Sequence, residues 1–156
     1  MSTRHKSDST EQREVEPVML RRLNRRLHSS LSPESLKLNC GAHVELDGFD
    51  KKRRILCEVY AHLGVLKGGQ PHKVAHDILK MLLVEKDRGK RPWRKIYCFA
   101  NEVPQEVRQS GKSWLAHAAI QFDVKFEAVR LPELTVALLK KVQRRQAKSI
   151  NPRTAG

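Results

Sequence analysis

The 156-residue chain predicts an α/β domain in which a mixed central sheet carries helices on both faces. Three observations lead there. Helical and extended periodicities follow one another in the order α-β-β-β-α-β-α-β-α. The first three extended runs lie close enough for a meander, whereas the later ones are spaced by helix-length segments, as parallel crossovers require. The extended runs are also apolar almost throughout, the pattern of strands covered on both sides.

Residues 1–13, MSTRHKSDSTEQR, contain almost nothing apolar and read as a disordered tail. From Glu14 to about Ser30 the chain reads as a basic amphipathic helix. Val15, Met19, Leu20, Leu23 and Leu27 form one stripe, and Arg21, Arg22, Arg25 and Arg26 form the opposite side. LSPES reads as a break, LKLNC and HVELDGF as short strands, and DKKRR as a charged turn into RRILCEVYAHLG.

In KGGQPHK, Gly68 and Gly69 interrupt the chain, Gln70 stands where a cap would, and Pro71 suits a first helical position. The helix is expected to reach about Lys86, with Val74, Ile78, Met81, Leu82 and Glu85 on one side. DRGKRP is a loop and WRKIYCFA the next strand. Val103 to about Gln121 reads as a helix weakened at Gly111, and DVKFEAVRL as the last strand. Pro132 then opens ELTVALLKKVQRRQ as a final helix. The expected organisation is one domain over residues 14–147 and a basic tail over 148–156, with no internal repeat.

The balance of 31 Lys and Arg against 17 Asp and Glu gives a formal charge of +14. That charge favours a polyanionic partner, nucleic acid ahead of an anionic membrane surface. Three cysteines, Cys40, Cys57 and Cys98, lie in apolar strand-like runs without a C-x-x-C pair, which reads as free thiols in a reducing compartment. No apolar run approaches membrane-spanning length and the N-terminus is polar, so a cytoplasmic location is expected.

The stretch VELDGFDKKRRILCEVYAHLG, from Val44 to Gly64, holds the chemistry. Alternation along a strand sets His43, Glu45 and Asp47 on one face, opposite Val44 and Leu46. On the next strand Leu56, Glu58, Tyr60 and His62 share a face, opposite Ile55, Cys57, Val59 and Ala61. A hairpin closed by DKKRR brings Asp47 and Glu58 side by side at one sheet edge. Two adjacent carboxylates in a dry pocket repel and take up protons, and a hard divalent cation removes that cost. Two plainer readings stand beside this one. Glu58 would be satisfied by an ion pair with one of the many basic side chains, and Asp47-Gly48 is a common turn dipeptide.

Asp47 followed by Glu58-x-Tyr60, between a first helix and a helix opening GGQPHK, resembles the PD-(D/E)XK nuclease superfamily. The resemblance covers roughly residues 14–100. It implies a restriction endonuclease-like αβββαβ core and metal-dependent hydrolysis of phosphodiester bonds, in DNA more than RNA, with Mg²⁺ or Mn²⁺ as cofactor. Carried over by position, Asp47 and Glu58 become metal ligands, the Val59 carbonyl a third and Glu16 the acid of the first helix. Glu14 is a weaker candidate for that helix acid.

Tyr60 stands where the family has lysine, and a phenol cannot supply an ammonium. Lys73, one turn inside the following helix, is the expected replacement, ahead of Lys67 in the loop. Gln70 resembles the glutamine some members place near the metal water. Lys51, Lys52, Arg53, Arg54, Lys67, Arg91 and Arg94 are the expected phosphate contacts, with Arg88 and Lys90 as further candidates. A homodimer that cuts both strands is compatible with the resemblance, although no stretch marks its interface.

The rivals are a catalytically inactive nucleic-acid-binding or assembly module, a basic ribonucleoprotein component, and an RNase on the same fold. His72 and His76 stand at ligand spacing but lack the glutamate and third ligand of a zinc site. Trp93 and Trp114 read as core or boundary residues, and 5% aromatic content argues against a base-stacking platform.

Overall fold

The structure, a computed structural model, describes residues 10–108 and 112–150. Its elements are α1 (Thr10–Leu27), β1 (Ser32–Lys37), β2 (His43–Asp50), β3 (Ile55–Tyr60), α2 (Gln70–Arg88), β4 (Arg94–Ala100), α3 (Trp114–Gln121), β5 (Val124–Val129) and α4 (Glu133–Ile150). A single 3₁₀ turn, Gln105–Val107, precedes α3. The five strands form one open sheet in the order β1-β2-β3-β4-β5. The β1-β2 and β2-β3 pairs are antiparallel, and β3-β4 and β4-β5 are parallel. The expected mixed sheet with helices on both faces is therefore present.

Several boundaries differ from expectation, each for a local reason. Helix α1 begins at Thr10, so residues 10–13 of the expected tail are helical. There Gln12 is buried and Glu11 meets Arg145 of α4, contacts that composition alone does not reveal. Residues 1–9 and 151–156 lie outside those described, as does the break expected at Gly111. LSPES is mostly strand: Pro33 is tolerated in β1 because β1 is an edge strand. The helix expected from Val103 shrinks to the 3₁₀ turn and the eight residues of α3, whose N-cap Ser113 accepts from the Ala116 N–H.

Each sheet face buries its own core. Leu36, Val44, Leu46, Leu56, Tyr60, Tyr97 and Phe99 pack under Val74, Ile78, Met81 and Val84 of α2 and Leu115 and Ala119 of α3. Ile55, Cys57, Val59, Ile96 and Cys98 pack under Val15, Met19, Leu20 and Leu23 of α1 and Leu139 of α4. The alternation read from β3 thus holds. Cys57 and Cys98 are buried free thiols, and burial pushes Cys98 up to about 12. Cys40 departs from expectation, standing exposed in the turn after β1. Trp93 is buried, while Trp114 is exposed at the start of α3.

Strand β2 breaks the alternation expected of it. Its pairing with β1 shifts between Ser32, opposite Phe49, and Glu34, opposite Leu46. Two residues, Asp47 and Gly48, therefore face the single Pro33, which is a β-bulge. Pro33 has no N–H to contribute to the ladder at that point. Val44 and Leu46 belong to the α2-side core, whereas a Cβ on Gly48 would meet Leu20 and Leu31 on the α1 side. The bulge resets the phase, so Asp47 is not opposite Leu46 as expected. Asp47-Gly48 is also no hairpin turn: the turn is residues 51–54.

Candidate functional site

Glu58 sits in the middle of the sheet on the α2 face, 1% exposed. An isolated carboxylate there would cost several kcal/mol. Five side chains gather around it. The Asp47 carboxyl, turned by the bulge, stands near enough to act on the Glu58 carboxyl, and its Oδ2 accepts the Val59 N–H at 2.9 Å. Lys80 Nζ lies 2.8 Å from Glu58 Oε1 and donates to the Glu45 carbonyl at 3.0 Å. Asp77, 3% exposed, stands beside them with Oδ1 3.5 Å from the same Nζ. Tyr97 OH donates to Asp77 Oδ2 at 3.1 Å, and Lys73 Nζ approaches that oxygen to 3.2 Å.

Burial raises the Glu58 pKa well above the carboxylate range, and the Asp47 and Asp77 charges raise it further; Lys80 opposes them. Burial works against the Lys80 charge, but Glu58 and Asp77 outweigh it and hold that ammonium above its ordinary pKa. Burial and the nearby carboxylates likewise push the Tyr97 phenol well up, so it stays a donor. The site thus holds three carboxyl groups and two ammonium groups around one buried oxygen cluster.

Sequence reasoning located Asp47 and Glu58 and their common face, but not their position. They lie between interior strands of the sheet, not at its edge. The plainer reading of Glu58 as an ion-pair partner also holds in part, since Lys80 is that partner. Lys80 was not anticipated, and neither were Asp77 and Tyr97. Asp77 did carry a signal: it falls within the buried stripe Val74, Ile78, Met81 of α2, where a carboxylate needs a reason. Lys73 reaches the same cluster through Asp77. Tyr60, in the lysine position, is buried and stacks on His62 at 4.6 Å.

Gln70 is the first residue of α2 and its side-chain oxygen accepts the Lys67 N–H at 2.8 Å, closing the loop before the helix. Lys67 itself is exposed. Glu16 is half-buried on α1, the helix that covers the opposite face of the sheet from Glu58. His72 and His76 are exposed, with His76 Nδ1 3.4 Å from Asp77 Oδ1. Among the described residues, no group of three or more His, Cys, Asp or Glu is arranged to hold a metal ion. No helix among them is long and apolar enough to cross a membrane.

No family model matches the chain, and neither a curated protein nor a solved structure does.

The basic residues expected to grip phosphates fall into two places. Lys51–Arg54, Arg91 and Arg94 surround the amino ends of β3 and β4. Arg54 precedes Glu58 by four residues, or about 13 Å of strand at about 3.3 Å per residue. Lys67 lies past the carboxyl end of β3. Arg54 is already engaged: its guanidinium lies 4.6 Å over the Trp93 ring and donates to the Arg91 and Pro92 carbonyls.

Proposed function

We propose that this chain is a metal-dependent phosphodiesterase of the PD-(D/E)XK kind, acting on nucleic acid, DNA ahead of RNA, with Lys80 in the role of the missing motif lysine. One observation carries the reading: buried Glu58 stands beside a second carboxyl, Asp47 of the neighbouring strand, which is anchored on the Val59 N–H at 2.9 Å, while an ammonium from α2 lies 2.8 Å from Glu58. A merely structural ion pair calls for one carboxylate; the second and third raise the cost of charging Glu58.

The donor set suits Mg²⁺ or Mn²⁺. Such ions take oxygen ligands, accept one or two carboxylates and keep several waters, so Asp47 and Glu58, with the Val59 carbonyl as a third oxygen, are sufficient protein ligands. The cation, when bound, lowers the pKa of a water and stabilises charge on the phosphoryl oxygens. Asp47 is fixed for its part by the Val59 N–H. Lys80 is held as an ammonium by its carboxylate neighbours, which suits it to donate to a phosphate oxygen or orient a water and makes it a poor general base. Asp77 acts as a positioning residue, fixing Lys80 from one side while Tyr97 and Lys73 fix Asp77.

The test is cleavage of plasmid, single-stranded DNA and RNA with Mg²⁺ or Mn²⁺, comparing wild type with Asp47→Ala, Glu58→Ala, Lys80→Met and Lys73→Met. The reading expects turnover to vanish in the first three and to persist, reduced, in Lys73→Met. Cleavage that survives both Asp47→Ala and Glu58→Ala would overturn it. A second reading has Tyr60 in its favour: an inactive nucleic-acid-binding module, for which binding without cleavage, unchanged by these variants, is the signature.

A further inference from the structure

The turn at residues 51–54 and the loop at 89–93 come from distant parts of the chain, yet they are built as one body. Arg54 joins them, stacking on Trp93 and donating to the Arg91 and Pro92 carbonyls, and Arg94 N–H donates to the Arg54 carbonyl at 2.9 Å. The Trp93 ring is locked beneath by Phe49, 5.3 Å away, and the Trp93 backbone N–H donates to Glu85 at 2.8 Å.

The carboxylates of these segments are all turned to structural work. Asp50 is 5% exposed and accepts the Ser30 and Arg53 N–H groups; Glu85 pairs with buried Lys95 at 2.7 Å; Asp87 accepts the Asn39 N–H. What remains outward is cationic. Lys51, Lys52, Arg53, Lys90, Arg91 and Arg94 are all exposed, and none forms a salt bridge among the described residues, although the Arg53 charge is felt by Asp50.

We infer that this stapled basic lobe is a docking surface for the sugar-phosphate backbone of nucleic acid, separate from the carboxylate site. The inference rests on the proposed nuclease reading only for the identity of the polyanion. Like charges on a rigid scaffold repel one another, and a row of phosphates is the partner that relieves them while releasing counterions. Arg54 is the staple and not a phosphate contact, which revises its expected role. The offset of about 13 Å from Glu58 equals roughly four base-pair rises of about 3.4 Å, so a bound duplex extends at least that far past the phosphate that is cut.

Binding to a 20-base-pair duplex and to single-stranded RNA, titrated across salt concentrations without divalent metal, tests the inference. Removing three lobe charges in Lys51→Gln/Lys52→Gln/Arg53→Gln is expected to flatten log Kobs against log salt by about 2 to 3. Lys90→Gln/Arg91→Gln is expected to flatten it by about 1 to 2, and keeps the backbone carbonyl that Arg54 grips. Arg21→Gln/Arg22→Gln/Arg25→Gln, on α1, removes equal charge and is expected to change it little.

Equal effects from the α1 and turn variants would show net charge alone at work and overturn the inference, as would tighter binding of the wild type to phosphatidylserine vesicles than to either nucleic acid. A lobe variant that binds with an unchanged slope while cleavage persists defeats only this inference. Wild type without salt-sensitive binding to either nucleic acid defeats the nuclease reading as well.

Discussion

Deprotonating Glu58 places a charge in a pocket already shared with Asp47 and Asp77, and its raised pKa makes that a stability statement. The folded protein holds the Glu58 proton to higher pH than the unfolded chain does. Stability therefore falls as pH rises from about 4.5, the ordinary carboxyl value, through the raised folded pKa. Lys80, whose pKa is raised, contributes in the opposite range: its support is intact below 10.5 and is lost as pH rises through its folded value. Asp50, whose pKa is lowered by the Ser30 and Arg53 N–H groups against its own desolvation, supports the fold above 3.8 and loses that support as pH falls. Denaturation midpoints of wild type and Glu58→Gln between pH 4.5 and 8 are expected to converge at the acid end, with the variant gaining on wild type toward pH 8. Parallel curves would remove Glu58 from this account. The same measurement with Mg²⁺ is expected to raise the wild-type midpoint by several degrees, about 2.7 kcal/mol at one hundred times the dissociation constant, and to leave Asp47→Ala unmoved.

Strand β2 shows what a single inserted residue accomplishes. Gly48 is the hinge of its bulge, and a Cβ there would come within 3.0 Å of Cys57 Cβ and Leu20 Cδ1 and 3.3 Å of Leu31 Cβ. Gly48→Ala is expected to cost about 1–3 kcal/mol through overpacking and to lower metal affinity along with stability, because Asp47 is its neighbour. A variant that loses stability but binds Mn²⁺ unchanged by calorimetry would separate the bulge from the site. This is also where sequence reasoning reached its limit. Period-two alternation placed Glu58 correctly because β3 is regular. It misplaced Leu46 relative to Asp47 because a bulge belongs to a pair of strands, and Pro33 on the partner had been read as a break. In α2, the stripe Val74, Ile78, Met81 gave the buried face and Asp77 fell within it, but Lys80 did not, and only the packed sheet shows that Lys80 reaches Glu58 and Asp77.

The two cores divide the molecule into a side that holds the carboxylate cluster and a side that joins the two ends of the chain. Helices α1 and α4 meet on the second side through Arg145 with Glu11 and Gln146 with Gln12, and Gln143 clasps Leu63 at both its N–H and carbonyl. Leu139 is 0% exposed there. Leu139→Ala is expected to cost about 2–5 kcal/mol and to leave turnover per folded molecule unchanged, measured well below the lowered melting point. Loss of turnover in step with stability would show that the faces are coupled. The order of elements was legible from periodicity because each amphipathic stripe had one sheet face to bury. The joining of α1 to α4 was not, since it depends on polar side chains more than a hundred residues apart.

Lys80 has a further consequence. Because an internal ammonium already stands against the buried acid, the chain brings its own counter-ion to the sheet, and assembly need not wait for anything from outside. Under the proposed metal-dependent function, chelating agents should then silence the protein without unravelling it: far-ultraviolet circular dichroism after exhaustive EDTA treatment should match that of untreated protein, and the proposed activity should return on simple readdition of Mg²⁺, with no refolding step between.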